Sequence, residues 1–223
     1  MHDAAGPPYP FPPRTKTKDT VELNEEQRYF SEVYTDWLED VSNEDKKPPP
    51  IVLLHGMAGT GKSTVIDVIV DNVEEIEALQ PELSPMTARM AFNHINALAM
   101  RGKTIASVIH LNNVKPYQLS EMGPGFWQQF VEENRYVKLI ILDEISNVAP
   151  YVLAHIDYYF QRLTGNFSQP FGGIRVLLVG DLNQLGPVRQ GVGLARAVME
   201  MHTYLARQKE SRGTKRSRSY TFP

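Results

Sequence analysis

The chain has 223 residues, 42% apolar and 22% charged, which excludes a wholly disordered or collagen-like polymer and leaves room for one substantial core. No run of 18 apolar residues occurs, so an ordinary membrane span is excluded, and the absence of cysteine removes disulfides, thiolate metal sites and thiol nucleophiles. A net charge of −3 supplies no global field for nucleic acid, so any such binding has to be local.

Residues 1–20 open with MHDAAGPPYPFPPR, which lacks both hydrophobic periodicity and the apolar stretch of a secretory signal, and reads as a disordered or polyproline-like arm. From Val21 to Leu38 the apolar positions Leu23, Phe30, Val33, Tyr34, Trp37 and Leu38 recur at three and four residues, which predicts an amphipathic helix entered near Asn24. SNEDKKPPP, from Ser42, ends it. Three apolar runs of strand length follow: Ile51–His55, Val137–Leu142 and Ile174–Val179. Their nearly unbroken apolarity predicts strands of a parallel sheet covered on both faces. Helical patterns follow the first run (Val65, Ile66, Ile69, Val73, Ile76) and the second (Val152, Leu153, Ile156, Tyr159, Phe160, Leu163), so the fold class is α/β. The domain is read as residues 21–206. Residues 207–223, with Arg207, Lys209, Arg212, Lys215, Arg216 and Arg218, read as a solvated basic tail.

Directly after the first strand stands GMAGTGKS, Gly56 to Ser63, with two glycines five apart followed by Lys and Ser. Glycines at 56, 59 and 61 let the backbone curl until several N–H groups point at phosphate oxygens, and the helix beginning near Lys62 adds its positive dipole end. Lys62 then reaches the β and γ phosphates and Ser63 offers its hydroxyl to Mg²⁺, with Thr60 and Thr64 completing the nucleotide-binding set. A glycine-rich turn is the bland alternative. The second strand ends in LDEIS, where Asp143 is placed to hold Mg²⁺ and Glu144 to orient or deprotonate water. The third ends in GDLNQLGPV, where Gln184 is placed to hydrogen-bond the γ phosphate or the lytic water, although Gly-Asp and Gly-Pro alone signal only a loop. The six histidines show no metal-ligand spacing and are assigned no metal.

These three segments resemble motifs I, II and III of the PIF/RecD-like superfamily-one DNA helicases, including Helitron-type ones, and LNEEQ (Leu23 to Gln27) resembles their adenine-reading Q motif. The resemblance runs from about Val21 to Met201. It implies a RecA-like P-loop NTPase domain with a mainly parallel sheet flanked by helices, ATP and Mg²⁺ as cofactors, Gln27 at the base edge, and 5′-to-3′ movement on single-stranded or forked DNA. It also implies a monomer acting inside the cell, in the nucleus or alternatively a mitochondrion, with no membrane partner and no small-molecule substrate besides ATP. Beyond Val188 too little chain remains for another domain of ordinary size, so a truncated first motor half, slow in hydrolysis by itself, is the expectation.

Between Ile76 and Ala91 no β-branched run occurs, so the residues predict no strand where the family's DNA-contacting motif Ia usually follows one. Met86, Met90, Phe92 and Met100 fall near helical spacing and read as core rather than a base-stacking platform. Arg89, Arg101 and Lys103 read as a solvated face, with phosphate contact as the alternative. Two other functions remain open: a non-catalytic remnant that binds nucleotide or nucleic acid, and a P-loop kinase or signalling NTPase.

Overall fold

The computed structural model describes residues 22–40, 50–57, 59–110 and 121–181. The proline-rich arm, the basic tail and Gln184 lie outside the described residues. Five strands, β1 (Ile51–His55), β2 (Thr87–Ala91), β3 (Lys103–Thr104), β4 (Leu139–Asp143) and β5 (Arg175–Gly180), form one sheet in the order β1-β5-β4-β2-β3. Every neighbouring pair is parallel.

Helices α1 (Glu25–Glu39) and α2 (Lys62–Leu79) cover one face; α5 (Pro124–Asn134) and α6 (Pro150–Thr164) cover the other, while α3 (His94–Ala99) and α4 (Ile105–Val108) are short. The period-two alternation of a strand explains how one run serves two cores. In β4, Leu139 and Ile141 pack with Tyr34, Trp37 and Ile69, whereas Ile140 and Leu142 pack with Phe130, Ile156 and Phe160. Helix α1 begins as the spacing predicts: Asn24 caps it, accepting from Gln27 N at 2.8 Å, while the Gln27 side chain accepts from Asn24 N at 3.1 Å. This reciprocal pair satisfies two amides that a helix start otherwise leaves open.

Phe160, fully buried, meets Phe130 edge-on at 5.2 Å between ring centroids. Phe160→Ala is therefore expected to lower unfolding free energy by about 3–5 kcal/mol, read as a shifted denaturant midpoint at unchanged slope.

Several expectations are corrected. The segment with no strand signal contains β2, which lies between β4 and β3 and is buried along most of its length. Thr87 is its one β-branched residue, and ladder pairing on both edges outweighs that weak local signal, because strand preference follows surroundings more than residue type. Met86, Met90 and Met100 are core, but from a loop, a strand and a helix end rather than one helical stripe; Phe92 is not core, being 49% exposed. Arg89 and Arg101 are neither a solvated face nor free for phosphate: Arg89 pairs with Glu74 at 2.8 Å, and Arg101 with Asp71 at 2.9 Å and also with Glu74. These pairs tie α2 to β2 and to the turn after α3. Strand β1 is not covered on both faces, since among the described residues it forms the sheet edge and Leu53 is 39% exposed.

Candidate nucleotide-binding site

Parallel strands that all enter from one side present their carboxyl ends along one edge, and loops from that edge build the site. In the order β1-β5-β4, the loop after His55, Gly180 with Asp181, and Asp143 with Glu144 stand side by side. Gly56 N donates to Gly180 O at 3.4 Å, fastening the glycine-rich loop to the neighbouring strand tip.

The loop runs straight into α2, whose first residue is Lys62. Gly61 precedes it at φ +85° and Gly59 at φ +81°, left-handed conformations that carry little cost only for glycine. No side chain caps α2, so its first amides remain for another acceptor. Thr60 Oγ1 donates to Met57 O at 2.9 Å, holding the turn closed. Lys62 folds back, its Nζ donating to Gly56 O at 2.6 Å and Met57 O at 2.9 Å. Gln27 reaches the same loop from α1, donating through Nε2 to Thr60 O at 3.2 Å. With its Oε1 engaged by Asn24 N, both ends of the Gln27 amide are occupied, one of them by the loop itself.

A Cβ at Gly61 would collide with Gln27 Nε2 in addition to facing the left-handed penalty. Gly61→Ala is expected to destabilise the fold by roughly 1–2 kcal/mol, from the backbone penalty alone. It is also expected to weaken nucleotide binding; thermal melting and titration with a fluorescent nucleotide report the two effects separately.

A cavity of about 490 Å³ opens between these strand ends, lined by Gly59 and Gly61 to Thr64 on one side and by Asp143, Glu144 and Asp181 on the other. That volume lies in the range of small-ligand sites. Burial pushes the Asp143 carboxyl above its ordinary value, opposed by the Glu144 N–H that it accepts at 2.8 Å and by the nearby Lys62 charge. Glu144 is also pushed up, by burial first and then by the Asp143 charge, and is held down by hydrogen bonds from Asn93 and Asn96. Its backbone sits at φ +56°, an uncommon conformation for a non-glycine residue, which turns its side chain away from the path of β4.

A divalent cation fits this donor set. Ser63 offers an exposed hydroxyl at the loop end, while Asp143 and Asp181 offer carboxylates to the same cavity, all hard oxygen ligands. A triphosphate fits the opposite wall, where uncapped amides and an ammonium group converge.

The structure thus brings together Gln27, Gly56, Gly59, Thr60, Gly61, Lys62, Ser63, Thr64, Asp143 and Glu144. Two cavity-lining residues, Asp181 and Asn96, and Asn93 beside them carry no nucleotide-site role in the sequence reading. Asp181 lies inside an ordinary turn signal, although it follows the apolar run Ile174–Val179 after one glycine, much as Asp143 follows Val137–Leu142. Asn93 and Asn96 follow β2, and locating them required recognising that strand.

A parallel α/β sheet whose first strand leads through a glycine-rich loop into a helix, beside acids at a strand tip, defines the P-loop nucleotide-binding class, here in its RecA-like form. The family model described as PIF1-like helicase matches residues 22–207, and the chain belongs to that family. Over 145 residues it is 31% identical to the ATP-dependent DNA helicase RRM3 of Saccharomyces cerevisiae, covering 61% of this chain and 18% of that protein. It is 32% identical over 145 residues to the ATP-dependent RecD2 DNA helicase of Deinococcus radiodurans, covering 65% of this chain and 17% of that one. The chain therefore spans under a fifth of the length of either relative. Among solved structures it resembles, at a TM-score of 0.52 and 25% identity, a Pif1 chain from the structure describing DNA unwinding at forked double-stranded DNA by two coordinating Pif1 helicases. That likeness covers 81% of this chain and 38% of the other.

Proposed function

We propose that this chain is the ATP-binding motor domain of an ATP-dependent DNA helicase moving 5′ to 3′ on single-stranded or forked DNA. The observation that carries the reading is the convergence of GMAGTGKS with Asp143 and Glu144 on one cavity at the carboxyl edge of a parallel sheet. The names of the relatives support the DNA part; the cavity supports the nucleotide part.

In this reading Lys62 exchanges the carbonyls of Gly56 and Met57 for phosphate oxygens, while the loop amides neutralise charge that develops on the phosphoryl group. Ser63 and Asp143 would hold Mg²⁺, which would supply charge neutralisation to the phosphates. Glu144 accepts a hydrogen bond from the attacking water and takes its proton as the bond from oxygen to the γ phosphorus forms and that to ADP breaks. Gln27 exchanges its bonds to Asn24 N and Thr60 O for the base edge when nucleotide binds. Gln184 reports the nucleotide state to the DNA.

The test is hydrolysis of ATP by the purified chain with and without single-stranded DNA, alongside strand separation on substrates bearing 5′ or 3′ overhangs. Mg²⁺-dependent ATP hydrolysis that is slow in this chain alone, with any unwinding confined to 5′ overhangs, is the expected result, and brisk DNA-stimulated turnover would contradict the reading of a single motor half. Transfer of phosphate to an acceptor other than water would favour a kinase, and nucleotide binding without turnover in any condition would favour a non-catalytic remnant.

A further inference from the structure

Glu144 is held by residues of a distant part of the sequence. Asn93 Nδ2 donates to Glu144 Oε2 at 2.5 Å, across 51 positions of chain, while the Asn93 backbone and the Asn96 side chain also hydrogen-bond the same carboxylate. Asn93 is itself fixed: it is the N-cap of α3, its Oδ1 accepting from Asn96 N at 2.8 Å. One amide therefore faces two ways, its oxygen closing the helix start and its nitrogen gripping the acid. With Oε2 held by Asn93, the Glu144 carboxylate is fixed at the cavity that Glu144 and Asn96 both line.

We propose that Asn93, assisted by Asn96, is a positioning residue that clamps the Glu144 carboxylate in the orientation required for attack on the γ phosphate. The inference rests on the nucleotide-hydrolysing reading above and deepens it. Asn93 does not line the cavity, and neither asparagine touches the phosphate loop in the described hydrogen bonds, so Asn93 acts through Glu144.

Asn93→Ser and Asn93→Asp separate this role from helix capping, because Ser and Asp both cap well. Serine is too short to reach Glu144, and aspartate sets a carboxylate against it in place of a donor. Binding of ADP, binding of ADP with aluminium fluoride, and single-turnover ATP hydrolysis are measured on the 223-residue chain and both variants. ADP affinity is expected to stay close to that of the unaltered chain in both variants, and melting temperature in Asn93→Ser, whereas Asn93→Asp is expected to melt lower because it sets a second carboxylate against Glu144. Affinity for the ADP–aluminium fluoride complex and the hydrolysis rate are expected to fall roughly ten- to a hundredfold for Asn93→Ser, the effect of losing a hydrogen bond to a charged group. Asn93→Asp is expected to fall further, through repulsion. Unchanged or higher affinity for the fluoride complex in Asn93→Ser overturns the clamp even where hydrolysis is too slow to follow, and equal losses of ADP and fluoride-complex binding overturn it in favour of a merely structural residue. Failure of the unaltered chain to bind ADP overturns the nucleotide reading, and the clamp with it.

Discussion

Lys62→Ala is expected to weaken binding of Mg²⁺-ATP by at least about a hundredfold and to abolish measurable hydrolysis. Among the described residues the ammonium group is the one basic side chain at the cavity wall formed by the glycine-rich loop, and hydrogen bonds from a charged donor contribute roughly 1.5–3 kcal/mol each, so losing two to phosphate oxygens exceeds the ~2.7 kcal/mol of a hundredfold change. The fold has little stake in the residue. Its bonds go to two carbonyls of its own loop, and only the stem packs partly against the protein. Calorimetric titration with ATP and Mg²⁺, beside a melting curve, separates the effects: a large loss of affinity at an unchanged melting temperature is predicted. Undiminished affinity would remove Lys62 from the phosphate site.

Glu144→Gln is expected to leave nucleotide affinity within a few-fold while lowering the hydrolysis rate by about 10²–10⁴, the usual contribution of a positioned general base. Glutamine keeps the shape and an oxygen for the Asn93 amide, but no longer takes a proton from water. The substitution has a second, opposite effect on stability. The folded protein holds the Glu144 carboxyl above its ordinary value, so over the interval between the unfolded and folded values the native state binds more protons, and stability falls as pH rises through it. At neutral pH the ionised side chain therefore works against folding, chiefly through burial and next through the like charge on Asp143. Glu144→Gln is thus expected to melt at a higher temperature than the unaltered chain at pH 7 and to show a smaller gap near pH 4. A variant that loses activity while gaining stability marks a residue kept for chemistry. A lower melting temperature would assign Glu144 a structural role instead.

The parts of this molecule that could be read from sequence are those in which one local pattern decides the outcome. Runs such as Ile51–His55 are too apolar and too short for anything but strands, and the spacing of Val65, Ile69, Val73 and Ile76 gives the buried stripe of α2. Gly61 and Lys62 are legible because a phosphate loop needs glycine at a left-handed position and a lysine at the helix start. What escaped was decided by partners far along the chain. Strand β2 is extended because β4 and β3 flank it, and no local feature of TARMA announces that. Arg89 and Arg101 resemble surface cations until the acids of α2 are placed opposite them. Phe92 shares the spacing of three core methionines yet stands half exposed at the turn after β2, where the helical register that would have buried it does not exist. Strand β1 resembles an interior strand by composition, and only the sheet order makes it the edge among the described strands. The Asn93–Glu144 bond follows the same rule, joining two residues that only the packed sheet edge brings together.

The PIF1-like family and the RecA-like fold stand on the sequence match and the sheet. The claim on which the mechanism depends is narrower: one cavity holds the triphosphate by its glycine-rich wall and the metal by its acidic wall. A crystal grown with a non-hydrolysable ATP analogue and Mn²⁺, located by its anomalous signal, tests it most directly. The account predicts the metal in contact with Ser63 Oγ and joined to Asp143 directly or through one water, with Lys62 Nζ moved from Gly56 O to a phosphate oxygen. Analogue bound elsewhere, or bound here with the metal remote from both Ser63 and Asp143, would contradict it.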